Sequence, residues 1–331
     1  MSIPSAQKPA ERTVLVVGGC GFIGSRVVRQ LVSRSVPVSI LDACKPLGIR
    51  AGFRAEAAEK IRRRRKSLGD VLVHSGDIRD SEVTRTVLEA TCPEVVLHLA
   101  NPADTQFAIN HIVEFTSLMM DGTATLLEES RRCGVRRFVY VSSSMVYGDF
   151  KTDPLAETAP MNSQEPYGCL KYACERLVNT YRYLHGMETI AIRPSAVYGP
   201  GGNEHQVVAR FVADAVHGRP LRVEGGDTSL DFTHVDDVAR GIVFAALHRD
   251  AKHSAFNISA GQSHRVLDLA EMIVSSVKEG FVEIAERRPH SPKRGSLDIR
   301  RAREHLGFEP LIDLRSGLED LLKSSLATDA S

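Results

Sequence analysis

A tyrosine and a lysine four residues apart, in the segment YGCLK, form the pair best suited to acid–base chemistry in this sequence. The segment begins a predicted helix, so the Tyr167 hydroxyl and the Lys171 ammonium lie on the same face. A phenol normally titrates near about 10. A neighbouring positive charge favours the phenolate and lowers this pKa. We therefore predict that Tyr167 takes a proton from an alcohol and that Lys171 tunes it.

A run of serines follows a predicted strand in the segment VSSSMVYG, residues 141–148. In doubly wound sheets, ligands bind at the carboxyl ends of the strands. A serine hydroxyl there can share a hydrogen bond with the substrate oxygen, while its neighbours satisfy backbone groups at the strand end. The residues alone leave open which member of the run meets the substrate.

A glycine-rich turn in VVGGCGFIGSRVV predicts a dinucleotide site. An apolar strand precedes the turn and an amphipathic helix follows it, so unpaired N–H groups and the positive end of the helix dipole face a phosphate. Gly18 permits the sharp turn, Gly21 lets the pyrophosphate approach the backbone, and Gly24 lets the helix pack closely on the strand.

An acid at the end of the second strand extends this prediction. Asp42 lies about 20 residues beyond the glycines, where a carboxylate accepts both ribose hydroxyls and repels a 2′-phosphate, so it favours NAD over NADP. Asp77, just beyond the third strand, can accept from the adenine amino group, although a turn or cap role is the alternative. The remaining predicted cofactor contacts are Phe22, Ile23, Ile78, Leu99 and Ala100, together with Tyr167 and Lys171.

Strands and helices alternate through the first part of the chain, which predicts an α/β fold, a Rossmann-type doubly wound parallel sheet. Strands are predicted within residues 13–18, 36–42, 70–78, 93–100, 136–144 and 187–194, and helices over 22–34, 81–90, about 112–133 and from 167. We expect an NAD-binding domain from 11–194 plus about 229–256. A smaller, discontinuous C-terminal substrate domain takes 195–228 and 257–326, and residues 1–10 form a flexible leader.

Taken together, these motifs resemble the extended short-chain dehydrogenase/reductase family, in its NAD-dependent epimerase/dehydratase branch. The resemblance runs through VLVVGGCGFIGS, LHLA, VYVSSSMVYG, PYGCLK, IRPSAVYGPG, DFTHVDDVA and LGFEP. It implies a catalytic set of Ser143, Tyr167 and Lys171, with Ser143 found by counting back four residues from the tyrosine of VYG. It also implies tight NAD binding and a homodimer formed through the helices near 112–133 and 167–185.

The resemblance also bears on the reaction. Members of this branch oxidise a sugar carbinol to a transient ketone. The 4,6-dehydratases of the branch carry a segment similar to TDEVYG, and this chain has Ser144 and Met145 in place of its aspartate and glutamate. Without that acid pair, dehydration is disfavoured, and the related decarboxylases' glutamate is absent too. SSSMVYG is more similar to the 4-epimerases, and Ser144 joins Ser143 as an expected substrate contact.

Two departures from the family pattern affect the substrate. Ala196 and Leu230 stand where members that bind nucleotide sugars often carry an asparagine and an arginine. Losing an arginine–phosphate contact removes a strong charge-assisted hydrogen bond. Arg288 matches the family's phosphate-contacting arginine best, and Arg287 or Arg294 could serve instead. Ordinary surface arginines remain the alternative for each.

Composition limits the remaining possibilities. The 331 residues carry a formal net charge of +1, which gives no reason to expect nucleic acid or a membrane as partner. The basic run Ile61–Lys66 is interpreted as the solvated face of a variable helix or loop. The six cysteines fit no zinc pattern, so we expect no metal and a reducing, cytoplasmic setting. His98 is expected to be a packed core residue, and Asp236 and Asp237 to cap a helix starting at Val238.

The leading hypothesis is an NAD-dependent sugar epimerase that inverts C4 of a nucleotide-linked hexose or uronic acid through a transient 4-keto intermediate. The first alternative, motivated by Ala196 and Leu230, is an NAD-dependent dehydrogenase or reductase of a free sugar, sugar acid or other small alcohol. The second is a binding or scaffold protein that keeps NAD as a structural ligand, against which the complete Ser–Tyr–Lys set argues.

Overall fold

The centre of the molecule is a seven-stranded parallel sheet with the strand order β11-β6-β5-β4-β1-β2-β3. The computed structural model describes residues 12–203, 206–248, 253–277, 280–287 and 292–329, so the expected leader lies outside the described residues. The strands are β1 (Val14–Val17), β2 (Val38–Asp42), β3 (Val73–Ser75), β4 (Val95–His98), β5 (Arg137–Val141), β6 (Glu188–Pro194), β7 (Val197–Tyr198), β8 (Leu221–Glu224), β9 (Ser229–Leu230), β10 (Thr233–His234), β11 (Ala255–Ile258), β12 (His264–Arg265) and β13 (Val282–Ala285).

The central strands are short and rich in β-branched residues because both of their faces are covered. All four residues of β1 and all four of β4 are buried, as are the five of β5. Such continuous apolar runs are typical of a parallel sheet with helices on both sides. The predicted doubly wound α/β fold is therefore confirmed, and its six predicted strands are all present.

Helices cover both faces of this sheet. The α-helices of the described residues, including those of the C-terminal part, are α1 (Phe22–Val32), α2 (Arg54–Ser67), α3 (Ser81–Thr91), α4 (Thr105–Asn110), α5 (Ile112–Thr116), α6 (Gly122–Arg132), α7 (Pro166–His185), α8 (Val207–Val216), α9 (Val235–Leu247), α10 (Val266–Val274), α11 (Arg300–Leu306) and α12 (Leu314–Asp329). Apolar side chains of α1, α9 and α11 form the core on one face, and those of α3 to α7 form the core on the other.

A separate apolar cluster lies in the C-terminal half. Side chains of α8, α10 and α12 pack around Leu221 and Val223 of β8, which pairs with β13. Strand β11 and helices α9 and α11, by contrast, belong to the core on the sheet. The division into an NAD-binding domain and a discontinuous substrate domain stays a prediction. It would correspond to the core on the sheet and the separate C-terminal cluster.

Two elements differ in detail from the sequence-based expectation. The long helix expected near 112–133 consists of α5, a π-helical turn at Ser117–Asp121 and α6. Helix α9 begins at Val235, not at Val238, and the prediction that Asp236 and Asp237 cap it is wrong. His234 is the cap, because its Nδ1 accepts from the Asp236 backbone N–H at 3.3 Å.

The described helices include none with the length and apolar composition needed to cross a membrane.

Candidate active site

The glycine-rich turn after β1 leaves no room for side chains. Gly18 has φ +87°, and a Cβ there would lie 2.7 Å from the Ala100 backbone nitrogen. A Cβ on Gly24 would lie 2.1 Å from the Gly18 carbonyl oxygen. Helix α1 begins at Phe22 with no side chain capping its first N–H groups. The turn therefore presents free donors and a positive dipole end to the cleft above β1.

Asp42 closes one end of this cleft. Its carboxylate accepts from the Cys20 backbone N–H at 2.9 Å and from the Cys44 N–H at 2.7 Å, which fixes its orientation. Burial raises the pKa of Asp42, and these two hydrogen bonds oppose that rise. The outer lone pairs remain available to hydroxyl donors, which is what the ribose of a dinucleotide offers.

Cys20 and Cys44 bring their sulfurs to Asp42, with ligand atoms within 4.8 Å of one another. A metal would need thiolates, but burial raises the pKa of Cys20, and the carboxylate already accepts two backbone hydrogen bonds. This group is therefore ill-suited to a metal ion.

The other predicted cofactor contacts line the same cleft. They are Gly21, Phe22, Ile23, Asp77, Ile78, Leu99 and Ala100. Asp77 forms an ion pair with Arg79 at 2.7 Å, and this pairing lowers its pKa. The carboxylate is thus partly occupied within its own turn, as the alternative interpretation of this acid expects.

Helix α2 was not anticipated as part of the site. Arg64 lines the cleft, donates to the Gly201 carbonyl at 2.5 Å and lies 5.8 Å from the centre of the Phe22 ring. Lys60 donates to the Gly202 carbonyl at 2.6 Å. The interpretation of the basic run as a solvated face is therefore wrong for Arg64, whereas Arg62 and Arg63 pair with Glu59 at the surface. A signal existed in the spacing of Ala57, Ile61 and Arg64, which share one helical face.

Ser143 and Tyr167 meet on the opposite side of the cleft. Ser143 follows β5 and caps a short 3-10 turn, accepting from the Met145 N–H at 3.1 Å. Tyr167 lies in the first turn of α7, directly after Pro166. Burial raises the pKa of Tyr167 to about 12, while a hydrogen bond with Ser143 and the positive charge of Arg294 oppose this rise.

Lys171 lies one turn further along α7 and is 4 % exposed. Its Nζ donates to the Val141 carbonyl at 2.7 Å and to the Asn101 Oδ1 at 3.1 Å, and it lies 5.9 Å from the centre of the Tyr167 ring. Burial lowers the pKa of Lys171 to about 7. The positive charge that opposes the rise of the Tyr167 pKa in this structure is that of Arg294. Asn101, missed in the sequence, follows LHLA at the end of β4.

The histidine beside this pair is a core residue, as expected. His98 in β4 is fully buried, its Nε2 lies 3.0 Å from the Thr123 hydroxyl, and burial lowers its pKa to about 3. The imidazole is therefore neutral at neutral pH, which suits a position buried beside the charge of Lys171.

The substrate end of the cleft contains one of the three arginines considered above. Arg294 lines the cleft and donates to the Ser144 hydroxyl at 2.5 Å. Arg287 lies 3.8 Å from Asp227 and does not line the cleft. Arg288, the preferred phosphate contact, lies outside the described residues. Ala196 and Leu230 line the cleft as well, so part of its wall is apolar.

These groups enclose one cavity of about 520 Å³, with the glycine turn and Asp42 at one end and Ser143, Tyr167 and Arg294 at the other. The family model described as "NAD dependent epimerase/dehydratase family" matches residues 14–259. The chain belongs to this family. It is therefore an NAD-dependent enzyme of the extended short-chain dehydrogenase/reductase type, and the glycine turn with Asp42 fits its cofactor.

Two members of the epimerase/dehydratase family show the level of sequence similarity. A putative UDP-glucose 4-epimerase of Methanocaldococcus jannaschii is 30% identical over 266 residues, which cover 78% of this chain and 81% of the relative. A trifunctional UDP-glucose 4,6-dehydratase, 3,5-epimerase and reductase of Arabidopsis thaliana is 28% identical over 79% of this chain, but the match covers only 39% of that longer protein.

The same fold occurs in the crystal structure of a UDP-glucose 4-epimerase from Thermotoga maritima with UDP-glucose. The two structures superpose with a TM-score of 0.83 at 28% identity, covering 96% of this chain and 99% of the other. The epimerase/dehydratase fold therefore extends over both the sheet and the C-terminal cluster.

Proposed function

We propose that this enzyme inverts C4 of a nucleotide-linked hexose or uronic acid through a transient 4-keto intermediate. The observation that carries the proposal is the placement of Ser143 and Tyr167 in the same cavity as the glycine turn and Asp42. A carbinol held between the serine and the tyrosine faces the cofactor cleft directly. The proton of the hydroxyl and the hydride of the adjoining carbon can then leave the same carbinol group.

Five of the residues expected to hold the cofactor have distinct roles. Gly18, Gly21 and Gly24 give its diphosphate access to the N-terminus of α1, Asp42 would accept the adenosine ribose hydroxyls, and Lys171 would hold the other ribose. When bound there, NAD would supply reversible hydride transfer at the carbinol carbon and a positive charge that favours the phenolate.

Tyr167 is proposed as the base and then the acid. The hydroxyl of Tyr167 is hydrogen-bonded with Ser143, so a substrate oxygen entering between them has one partner to orient it and one to exchange its proton. Because burial alone disfavours the phenolate, this step needs positive charge nearby. Arg294 supplies some of it, and Lys171 adds to it when protonated.

Dehydration is disfavoured because the described residues that line the cavity offer no free carboxylate at the required place. The described acids that line it are Asp42, Asp77 and Asp104, and each already accepts hydrogen bonds from its surroundings. Ser144 and Met145 occupy the positions of the dehydratase acid pair. Without a carboxylate there, the 4-keto intermediate keeps its substituents and is reduced again, on either face of C4.

A second candidate is net oxidation or reduction of a free sugar, sugar acid or other small alcohol. The apolar side chains of Ala196 and Leu230 in the cavity wall favour it, since polar contacts to a nucleotide diphosphate are expected there.

One experiment separates these candidates. The NAD-loaded protein is incubated with a panel of UDP- and dTDP-linked hexoses and uronic acids and with the free sugars, and products are followed by NMR alongside NADH absorbance. Epimerisation predicts a C4-inverted sugar with no net NADH. A dehydrogenase instead accumulates NADH in proportion to substrate consumed. Failure to convert any nucleotide sugar would contradict the proposal.

A further inference from the structure

Arg294 places a guanidinium in the substrate end of the cavity, where no described carboxylate forms an ion pair with it. One Nη donates to the Ser144 hydroxyl at 2.5 Å, and the other lies 2.6 Å from the Met145 sulfur. The guanidinium carbon lies 4.8 Å from the centre of the Phe150 ring, and Nε is buried without a hydrogen-bond partner. The group is thus held by one hydroxyl, one thioether and one aromatic face.

Arg294 is half-buried, and the two fully buried arginines among the described residues both have carboxylate partners. Arg193 is 3 % exposed and pairs with Glu175, and Arg137 pairs with Glu188 at 2.7 Å. Within the described residues no carboxylate lies within 4.0 Å of Arg294. Burial lowers the pKa of Arg294 to about 10, and the more distant charges of Glu165 and Asp231 offset this only in part. A desolvated cation is costly unless an anion accompanies it, so the arrangement suits an anionic ligand.

The position of Arg294 limits which part of a sugar nucleotide it can meet. It contacts Ser144, which adjoins Ser143, and its charge acts on Tyr167. It therefore lies beside the carbinol that reacts. In a pyranose, C4 adjoins C5, which bears C6, whereas the anomeric carbon and its diphosphate lie at the opposite side of the ring. The anion nearest Arg294 is then a group on C6.

We propose that Arg294 and Ser144 bind the C6 carboxylate of the sugar, so that the substrate is a nucleotide-linked uronic acid and not a neutral hexose. This inference rests on the proposed C4 reaction, because the carboxylate is located relative to the carbinol held by Tyr167. A guanidinium can engage a carboxylate through two parallel hydrogen bonds, which gives selectivity as well as affinity.

Binding to the NAD-loaded Tyr167→Phe protein tests this without turnover. Titration calorimetry compares UDP-glucuronate with UDP-glucose, and the dTDP pair likewise. We expect the uronate to bind at least about tenfold more tightly, and Arg294→Met to weaken the uronate by about 10- to 100-fold, as for loss of a charge-assisted hydrogen bond. The neutral sugar should change by less than about threefold.

Two further variants control for charge and for folding. Lys293→Met removes the same charge from the adjacent exposed residue and should leave both affinities unchanged. Arg294→Lys keeps the charge and should restore part of the uronate preference. An unaltered unfolding midpoint in the presence of NAD shows that Arg294→Met is folded.

The outcomes separate this inference from the proposed function. Equal weakening of the uronate and the neutral sugar by Arg294→Met would place the diphosphate at Arg294 and overturn the inference, as would a preference for the neutral sugar. C4 inversion of a neutral hexose that is insensitive to Arg294→Met would uphold epimerisation and overturn the carboxylate site. Arg294-dependent uronate binding without C4 inversion by the wild type would uphold the site and contradict the proposed reaction.

Discussion

Lys171 is the residue at which burial and chemistry oppose each other most directly. Its ammonium is 4 % exposed and its hydrogen-bond partners are the neutral oxygens of Val141 and Asn101. Neutral acceptors compensate a buried charge only in part, so desolvation lowers its pKa to about 7. Folding without cofactor therefore carries a cost at this residue, which depends on pH.

Replacing Lys171 with methionine should reveal that cost. The side chain titrates at 10.5 when solvated and at about 7 in the fold, so between these values the unfolded chain binds more protons. The cost is complete below the lower value and disappears as pH rises to the higher one. The stability of the wild type should therefore rise relative to Lys171→Met across this window.

Urea denaturation of the NAD-free proteins at pH values from about 6 to about 10 measures this difference. Lys66→Met, which changes an exposed lysine of α2, provides the control and should show no such slope. A constant difference between wild type and Lys171→Met over the whole range would contradict the buried-ammonium description.

Contacts between residues that are distant in the sequence could not be predicted from local patterns. The spacing of Tyr167 and Lys171 on one helical face is a local property, and the structure places both in the cavity. Asn101 and Arg294 lie about 70 and more than 100 residues from the partners they contact, Lys171 and Ser144. No local pattern encodes such a pair. Arg294 was one candidate among several arginines until the fold placed it beside Ser144.

At the scale of elements, the packing of α1 against β1 depends on the missing side chain of Gly24. A methyl group there would lie 2.1 Å from the Gly18 carbonyl oxygen, so helix and turn would have to separate. Gly24→Ala should weaken NAD binding by at least about tenfold and lower the free energy of unfolding by about 1–3 kcal/mol, as overpacking does.

Calorimetric titration with NAD and urea denaturation measure the two effects of Gly24→Ala. Gly52→Ala is the matched control, because a Cβ at Gly52 meets nothing within 4 Å, and both quantities should stay at wild-type values. Wild-type NAD affinity in Gly24→Ala would contradict the role assigned to the turn.

Elements were predictable to different degrees. The strands of the sheet are continuous apolar runs and α1 has a clear apolar face, so composition and periodicity suffice for both. Among the residues of helix α2 only Ala57 is buried. The side that contacts the 201–202 loop carries Lys60 and Arg64, so the apolar pattern in the sequence indicates it only weakly. Helix α9 was placed three residues late because an imidazole cap is less common than a carboxylate cap.

For the whole molecule, the cavity lies where the sheet and the C-terminal cluster face each other. Its lining draws on the turn after β1, on α7, and on Leu230 and Val208 of the C-terminal part. The expected homodimer stays a prediction. Its proposed helices expose Ile112, Val113, Tyr183 and Leu184 within the chain as described. An assembly through these side chains would leave the cavity open, because they do not line it.

The central claim is that Tyr167 exchanges the substrate proton in a cavity that already holds NAD. Its most direct test is the turnover of NAD-loaded Tyr167→Phe with the best nucleotide sugar, against Tyr183→Phe, an 88 % exposed tyrosine of the same helix, as control. We predict a rate reduced by about 100- to 10,000-fold with NAD affinity retained, and an unchanged rate for the control. Wild-type turnover by Tyr167→Phe would contradict the account.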